Sequence, residues 1–421
     1  MKVLLVQHSS FLNGIGGTEK ICSELANMLC ADGHQAEIAT NESTIGFPVF
    51  PLHENVTVTN IFDPNLEQKE EIPIYNYKGR NPLLWVKYKL RKKYAKWYNR
   101  KLNQRMGGED KLYQYNLRNR AILWKRYIDR LDPDLIITMS IASLLEITYH
   151  NQLSKPIINS VNGRPDYDYT NSLGGRKPYL VDLLTQSFRQ LDGIQILFES
   201  YRQFLPSIFH GECKVIPNPV QQVPSDKVVN HNQSKKRYKV IHVGRLDSDC
   251  KQQHLAIEIF ADLASKFPQW ELEFWGTGAD LVRLNTQIVN LGLSSRIFLR
   301  GFTDDPISKM NEADIFIFPS KYEGFGLALG EAMSCGLPSI GFSSCSGVNE
   351  LIKHGENGFL ANSIDEMRSF LKQLMEDAPL RQKLGRQAHL GMKNYTLARM
   401  VSGWKTLIQA VMKKHAINKN D

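Results

Sequence analysis

The chain alternates short apolar runs with amphipathic segments. VLLV (3–6) fits a buried strand. After it, Ile21, Leu25, Met28 and Leu29 share one helical face in a segment starting near Thr18, and Gly33 closes that helix. EIAT (37–40) reads as a second strand. Strands separated by helices of this length predict parallel β-α-β units. The pattern breaks between about 64 and 117, then resumes at DLIITMS (134–140), PIINSV (156–161), a helix over 178–191 and IQILFES (194–200). A polar stretch with two prolines follows, and 219–238 reads as a linker. A second series then begins: KVIHVG (239–244), a helix over 252–266, ELEFW (271–275), a helix over 279–291 and RIFLRG (296–301). It continues with a short helix ending near 312, DIFIFPS (314–320), a helix over 327–335 and PSIGF (338–342), and is helical to the end. The pattern predicts two doubly wound α/β domains, 1–218 and 239–395, with a helical insertion at about 64–117. Residues 396–421 are expected to form a helix packing back on the first domain. Ligands of such sheets bind beyond the carboxyl ends of the strands, and two such domains form a cleft.

Composition narrows the class. A chain of 421 residues, 42% hydrophobic and 23% charged, fits two globular domains. No stretch approaches 18 consecutive apolar residues, so no membrane-spanning helix is expected. The apolar run at the N-terminus is too short for a signal-peptide core. Cys22, Cys30, Cys213, Cys250, Cys335 and Cys345 are scattered without metal spacing, which suits reduced thiols in a cytoplasmic protein.

The net charge of +9 is uneven. Lys78 to Arg130 holds 17 Lys/Arg against 3 Asp/Glu, a net of +14, which leaves −5 for the remainder. Trp85, Tyr88, Tyr94, Trp97 and Tyr98 are interleaved with these cations. Such a mixture suits anionic lipid head groups, so Lys87–Arg105 is expected to attach the protein peripherally to the inner face of the membrane. Stacking on single-stranded nucleic acid uses the same chemistry. No nucleic-acid-binding signature accompanies it, and no such partner is expected. The third reading is a helical pair packed on the first domain with a solvated basic face.

Four strand-end loops carry candidate chemistry. Gly14, Gly16 and Gly17 lie between the first strand and the first helix, where glycine lets backbone approach a ligand. The spacing is neither the dinucleotide fingerprint nor a Walker loop, and an ordinary turn fits equally well. Past VIHVG, Gly244 leads to Arg245, Asp247 and Lys251; the two cations suit a diphosphate or a plain solvated surface. WGTGA carries Gly276. SKYEGFGLALGEAMSCGLP (320–338) sets Glu323 in a loop and Glu331 on the following helix, which Gly336 and Pro338 end. The N–H groups of Phe325, Gly326 and Leu327 stand at that helix start, worth up to ~2 kcal/mol to an anion. A carboxylate beside a bound anion is repelled by it. Glu323 and Glu331 are better suited to accept hydrogen bonds from sugar or ribose hydroxyls than to act as an acid–base pair.

Together these stretches resemble the retaining nucleotide-sugar glycosyltransferases of family 4, which have the GT-B fold of two facing Rossmann-like domains. The resemblance rests on VGRLDSDCK (243–251), WGTGAD (275–280), RIFLRGF (296–302), ADIFIFPSKYEGFGLALGEAMSCGLPSIG (313–341) and SGVNELIKHGENGFL (346–360), with GGTE (16–19) at the start. It implies transfer of a sugar from a nucleotide sugar, a UDP-sugar, to an acceptor such as a lipid-linked glycan of a cell-surface polysaccharide, a protein or a glycolipid. Arg245 and Lys251 would hold the diphosphate, with the Phe325–Leu327 backbone. Glu331 would bind the ribose and Glu323 the transferred sugar. Gly16 and Gly17 would close over the diphosphate, and Arg300 to Phe302 would lie near the base. No metal or cofactor is implied, because cations and a helix start meet the charge of the leaving diphosphate.

Three positions depart from the family pattern. Gln252 follows Lys251 where glycine is usual, Pro219 follows Asn218 where glycine is usual, and Asn162 stands where histidine is frequent. Asn162 cannot take up a proton; His8, past the first strand, is the alternative on the acceptor side. Two rival readings accompany the transferase: a nucleotide-sugar epimerase of the same fold, and a catalytically silent subunit that binds glycans or supports a partner.

Overall fold

The computed structural model of the chain describes residues 1–77, 79 and 81–418. Lys78 and Arg80 of the basic stretch, and 419–421 at the end of the expected terminal helix, lie outside the described residues. The first sheet contains β1 (Lys2–Val6), β2 (Gln35–Thr40), β3 (Thr57–Asn60), β4 (Leu135–Thr138), β5 (Ile157–Ser160), β6 (Gly193–Ile196) and β7 (Glu212–Val215). Its order is β3-β2-β1-β4-β5-β6-β7, and every pairing is parallel. The second contains β8 (Tyr238–Val243), β9 (Trp270–Trp275), β10 (Ile297–Gly301), β11 (Ile315–Phe318), β12 (Ser339–Phe342) and β13 (Gly358–Ala361). Its order is β10-β9-β8-β11-β12-β13, again all parallel.

The central strands β4, β5 and β11 are buried at every position, as strands covered by helices on both faces must be. That is why they appear in the sequence as unbroken apolar runs. The edge strands β3 (TVTN) and β7 (ECKV) are only partly buried, and hydrophobic pattern alone does not mark them. In both sheets the order reverses beside the domain's first strand, at β1/β4 and at β8/β11. Those are the two points where an open α/β sheet leaves a crevice for a ligand.

The insertion runs further than the expected end near 117. It consists of two helices, Pro82–Met106 and Glu109–Leu131, joined through Gly107 and Gly108 in left-handed geometry (φ 85° and 133°). Leu117, Trp124 and Ile128 of the second helix enter the core at helical spacing, with Ala121 buried on the same stripe. Five Lys/Arg between 118 and 130 hide that stripe in the sequence. The first helix is different: Ala95 is its one buried residue. Among the described residues no helix is long and apolar enough to cross a membrane, and all six cysteines are free thiols.

The polar stretch between β7 and β8 is not a solvated tether. Val220, Val223, Val229 and His231 are buried. Val223 N–H donates to Ser334 Oγ (3.0 Å) and Val229 N–H to the Cys335 carbonyl (3.0 Å), so the stretch lies against the helix Leu327–Ser334. Its scattered valines carry no period and were not legible as packing residues.

The chain then returns to the first domain. On the helix Leu397–Asn418, Met400, Trp404, Leu407, Ile408 and Val411 are buried in one cluster with Leu5, Ile158 and Ile216. Gly193 on β6 makes the close approach possible, since a Cβ there would stand 2.7 Å from Val411 Cγ2. Trp404 is 1% exposed. Trp404→Ala is expected to destabilise the first domain by about 3–5 kcal/mol, read as a loss of thermal stability of the full chain. A change below about 1 kcal/mol would show that this helix does not belong to the core.

Candidate functional site

Beyond β8, the backbone passes Gly244 and Arg245 and reaches Lys251 just before the helix Gln253–Ala264. Gln253, fully buried, holds this loop. Its Nε2 donates to the Arg245 carbonyl (2.7 Å) and its Oε1 accepts from Asp247 N–H (3.2 Å). Beneath it, His242 is buried with Nδ1 on the Ile317 carbonyl (3.0 Å) and Nε2 beside Gln253 Nε2 (3.3 Å). Burial pushes the His242 pKa down to about 4, so the ring is a neutral brace. Gln252 adopts left-handed geometry (φ 52°, ψ 37°). This accounts for the glycine usual at that position, and for a side chain the conformation costs ~1–2 kcal/mol.

The cations flanking this loop differ in freedom. Arg245 is 66% exposed and reaches only Asp247 (3.1 Å). Lys251 is largely buried and pairs with Glu323 Oε1 at 2.5 Å. Burial opposes the Lys251 charge, but the Glu323 carboxylate outweighs it and the ammonium titrates above its ordinary range. The turn after β9 touches the Gly244 backbone: a Cβ on Gly276 would lie 2.1 Å from the Gly244 carbonyl oxygen. Arg300 is not drawn into this group by its hydrogen bonds, which go to the buried Glu273 (2.8 Å). Gly301, next to it, reaches the strand-end row, where its carbonyl accepts from Gly276 N–H (2.7 Å).

The loop after β11 is pressed against the first domain. A Cβ on Gly324 would stand 1.8 Å from the Asn162 carbonyl oxygen, so only glycine fits there. Tyr201 of the first domain donates to the Gly324 carbonyl (2.9 Å). Phe325 stacks on Phe198 with ring centroids 5.4 Å apart. Gly326, at φ 82°, caps the helix Leu327–Ser334, whose free N–H groups open beside Glu323. Glu331 follows one turn into that helix, with its side chain 9% exposed.

From the first domain, Gly16 caps the helix Gly17–Ala31. A Cβ on Gly17 would come within 3.2 Å of Leu327 Cδ1, so the two helix starts face each other. The glycine loop folds over Glu19, whose buried carboxylate accepts from Gln7 Nε2 (2.9 Å) and whose pKa burial raises. The next residue, Lys20, crosses the cleft and places Nζ 2.8 Å from Glu331 Oε1. His8 sits past β1 with Nδ1 on Ser143 Oγ (2.9 Å), and burial lowers its pKa, so it is neutral near pH 7. Asn162 donates to the Met139 carbonyl (2.8 Å), and its Oδ1 is buried without a hydrogen-bond partner. Met139 N–H in turn donates to Val6, which ties Asn162 and the end of β1 to one stretch of backbone.

Lys251 and Glu323, the start of the helix Leu327–Ser334, Glu331 and Gly17 are therefore brought together where the two domains meet, with Arg245 on the loop before Lys251 and Gly16 at the cap of the facing helix. Lys20 and Gln253 were not foreseen. Lys20 adjoins the GGTE stretch and carries no pattern that points across a cleft. Gln253 is one residue beyond the last motif position.

Residues 225–390 match the family model described as glycosyl transferases group 1. The poly(glycerol-phosphate) alpha-glucosyltransferase of Bacillus subtilis (strain 168) is 30% identical over 228 residues. That match covers 54% of this chain and 31% of the Bacillus protein, so the chain spans about a third of that relative's length. Among solved structures, a mutant of Staphylococcus aureus TarM in complex with fondaparinux, alpha-GlcNAc-glycerol and UDP superposes with a TM-score of 0.69 at 15% identity, covering 96% of this chain and 99% of that one. Sucrose-phosphate synthase from Thermosynechococcus elongatus gives 0.71 at 17%, covering 98% and 99%. At such identity these likenesses speak for the fold: two parallel-sheet, Rossmann-like domains in the GT-B arrangement, with a group 1 glycosyl transferase pattern over residues 225–390.

Proposed function

We propose that the protein is a glycosyltransferase that moves a sugar from a nucleotide-sugar donor, a UDP-sugar, to an acceptor held by the first domain. The observation that carries this reading is that the Lys251–Glu323 and Lys20–Glu331 pairs flank one helix start, with Gly17 facing Leu327 across the cleft and Arg245 on the loop that leads to Lys251. The diphosphate is held by Arg245, Lys251 and the N–H groups at the start of the helix Leu327–Ser334. These groups meet the charge that develops on the leaving diphosphate, which lets the reaction proceed without a metal. Glu331 accepts from the ribose hydroxyls and Glu323 from hydroxyls of the transferred sugar. Lys251 then exchanges part of its bond to Glu323 for a phosphate oxygen.

Transfer with retention fits the first-domain side. Burial lowers the His8 pKa, which weakens the ring as a base, and Asn162 has no group that takes up a proton. Neither is placed as a strong base, so a donor phosphate oxygen takes the acceptor proton on the same face of the sugar. The name of the Bacillus relative, a poly(glycerol-phosphate) alpha-glucosyltransferase, supports a polymer as acceptor. In this reading the growing polymer is lipid-linked and reaches the first domain at a membrane surface.

The helix Pro82–Met106 supplies that attachment. Between Lys87 and Arg105 it carries nine Lys/Arg and no acid. Trp85, Leu90, Tyr94 and Trp97 are each at least half exposed. Lys89 and Lys101 cover the Trp85 and Trp97 rings at 4.6 Å. Aromatic rings flanked by cations match an anionic head-group layer.

Two measurements test this reading. UDP-sugar turnover by wild type, Arg245→Ala and Glu331→Ala should fall about a hundredfold or more on loss of Arg245, with weaker donor binding on loss of Glu331. Equal rates in all three proteins would contradict the site. The full chain should co-sediment with vesicles containing anionic lipid, and less so as salt is raised. Neutralising Lys89, Arg91, Lys92 and Lys93 together should remove about 1 kcal/mol of binding per residue. Unchanged sedimentation would assign the basic face to solvent instead.

A further inference from the structure

Lys20 lies on the first turn of the helix Gly17–Ala31, one turn beyond Gly17 and on the face that Gly17 turns toward Leu327. Its bond to Glu331 is, among the described residues, the one ion pair that joins the two domains. Lys20 is 29% exposed and Glu331 9%, so water screens the contact only partly. Glu24 follows four residues along the same helix. Its Oε2 is buried without a hydrogen-bond partner. Burial raises the Glu24 pKa, with Lys20 opposing the shift and Glu331 adding to it. Lys20 therefore stands between two carboxylates, one from each domain, that would otherwise repel across the cleft.

We propose that Lys20 is a placeholder for the donor's ribose: it neutralises Glu331 and draws the cleft closed when the site is empty, and it must leave Glu331 when ribose hydroxyls arrive. The inference rests on the assignment of Glu331 to the ribose. The ammonium and the hydroxyls need the same carboxylate, and little of that carboxylate is open to a second partner. Donor affinity is thus set by exchange of an internal cation for two hydroxyls, not by hydroxyl contacts alone. The exchange also couples occupancy to domain position, because the contact given up is one that spans the cleft. Gly17 and Lys20 share a helical turn, so a shift of that helix start moves both the glycine loop and the placeholder.

Calorimetric titration of the full chain with UDP tests this in wild type, Lys20→Met, Glu331→Gln and the double variant. Methionine keeps the apolar stem of a partly exposed side chain and removes only its charge. Lys20→Met should bind UDP more tightly, roughly three- to thirtyfold, inside the range of coupling for side chains in direct contact. Glu331→Gln should bind more weakly than wild type. The double variant should match Glu331→Gln, because Lys20 acts through Glu331. Small-angle scattering of the empty protein should show Lys20→Met more open than wild type, and the two should converge when UDP is added. Unchanged or weaker UDP binding by Lys20→Met, with Glu331→Gln still weakened, overturns the placeholder alone. A Lys20→Met effect of equal size in the Glu331→Gln background also overturns it. Wild-type affinity in Glu331→Gln overturns the ribose assignment and the inference with it.

Discussion

Everything at the cleft depends on one backbone contact, where Gly324 of the second domain meets the Asn162 carbonyl of the first. A side chain at 324 would place its Cβ 1.8 Å from that oxygen. The domains can therefore approach only through a residue with no Cβ. The hydrogen bond from Tyr201 to the Gly324 carbonyl and the stacking of Phe198 on Phe325 lie immediately around this point. Ser346 adds a bridge from the second domain, bonding both Tyr167 Oη (2.8 Å) and the Glu323 carbonyl (3.0 Å). Glu323 directly precedes Gly324, and the helix start at Leu327 and Glu331 follow it, so their positions relative to the first domain are inherited from this contact.

The second constraint is charge. Glu323 and Glu331 each have their own lysine, Lys251 for Glu323 and Lys20 for Glu331. Removing one partner of a buried pair leaves an uncompensated charge and typically costs 3–5 kcal/mol, roughly the scale on which substrate affinity is set. A ligand that brings both hydroxyls and phosphates satisfies such a site from both sides. Hydroxyls take over the carboxylates while a phosphate takes over Lys251, and Lys20 is released toward solvent. A simple anion offers nothing to the glutamates, and a simple sugar offers nothing to the lysines. Under the proposed function the arrangement selects a molecule carrying both groups, which is the chemistry of a nucleotide sugar.

Much of this was legible in the sequence because it is local. Strand-end loops such as Gly244–Lys251 and Glu323–Leu327 are short, and their chemistry lies within a few residues of an apolar run. The same locality made β4, β5 and β11 plain and left the edge strands β3 and β7 unmarked. What could not be read was non-local. Lys20 and Glu331 are 311 residues apart, and no periodicity relates them. Gln253 works by hydrogen-bonding the loop that precedes it, which composition does not reveal. The second helix of the insertion was hidden because the five cations between 118 and 130 interrupt the stripe of Leu117, Ala121, Trp124 and Ile128. The resemblance implies a place near the base for Arg300, and nothing in the sequence signals that its guanidinium bonds the buried Glu273.

The most direct test of the account is a crystal structure of the full chain with UDP. The account requires the diphosphate against Arg245, Lys251 and the start of the helix Leu327–Ser334, with the ribose hydroxyls on Glu331 and Lys20 withdrawn from it. A diphosphate bound elsewhere, or a ribose remote from Glu331 with the Lys20 pair intact, would contradict it.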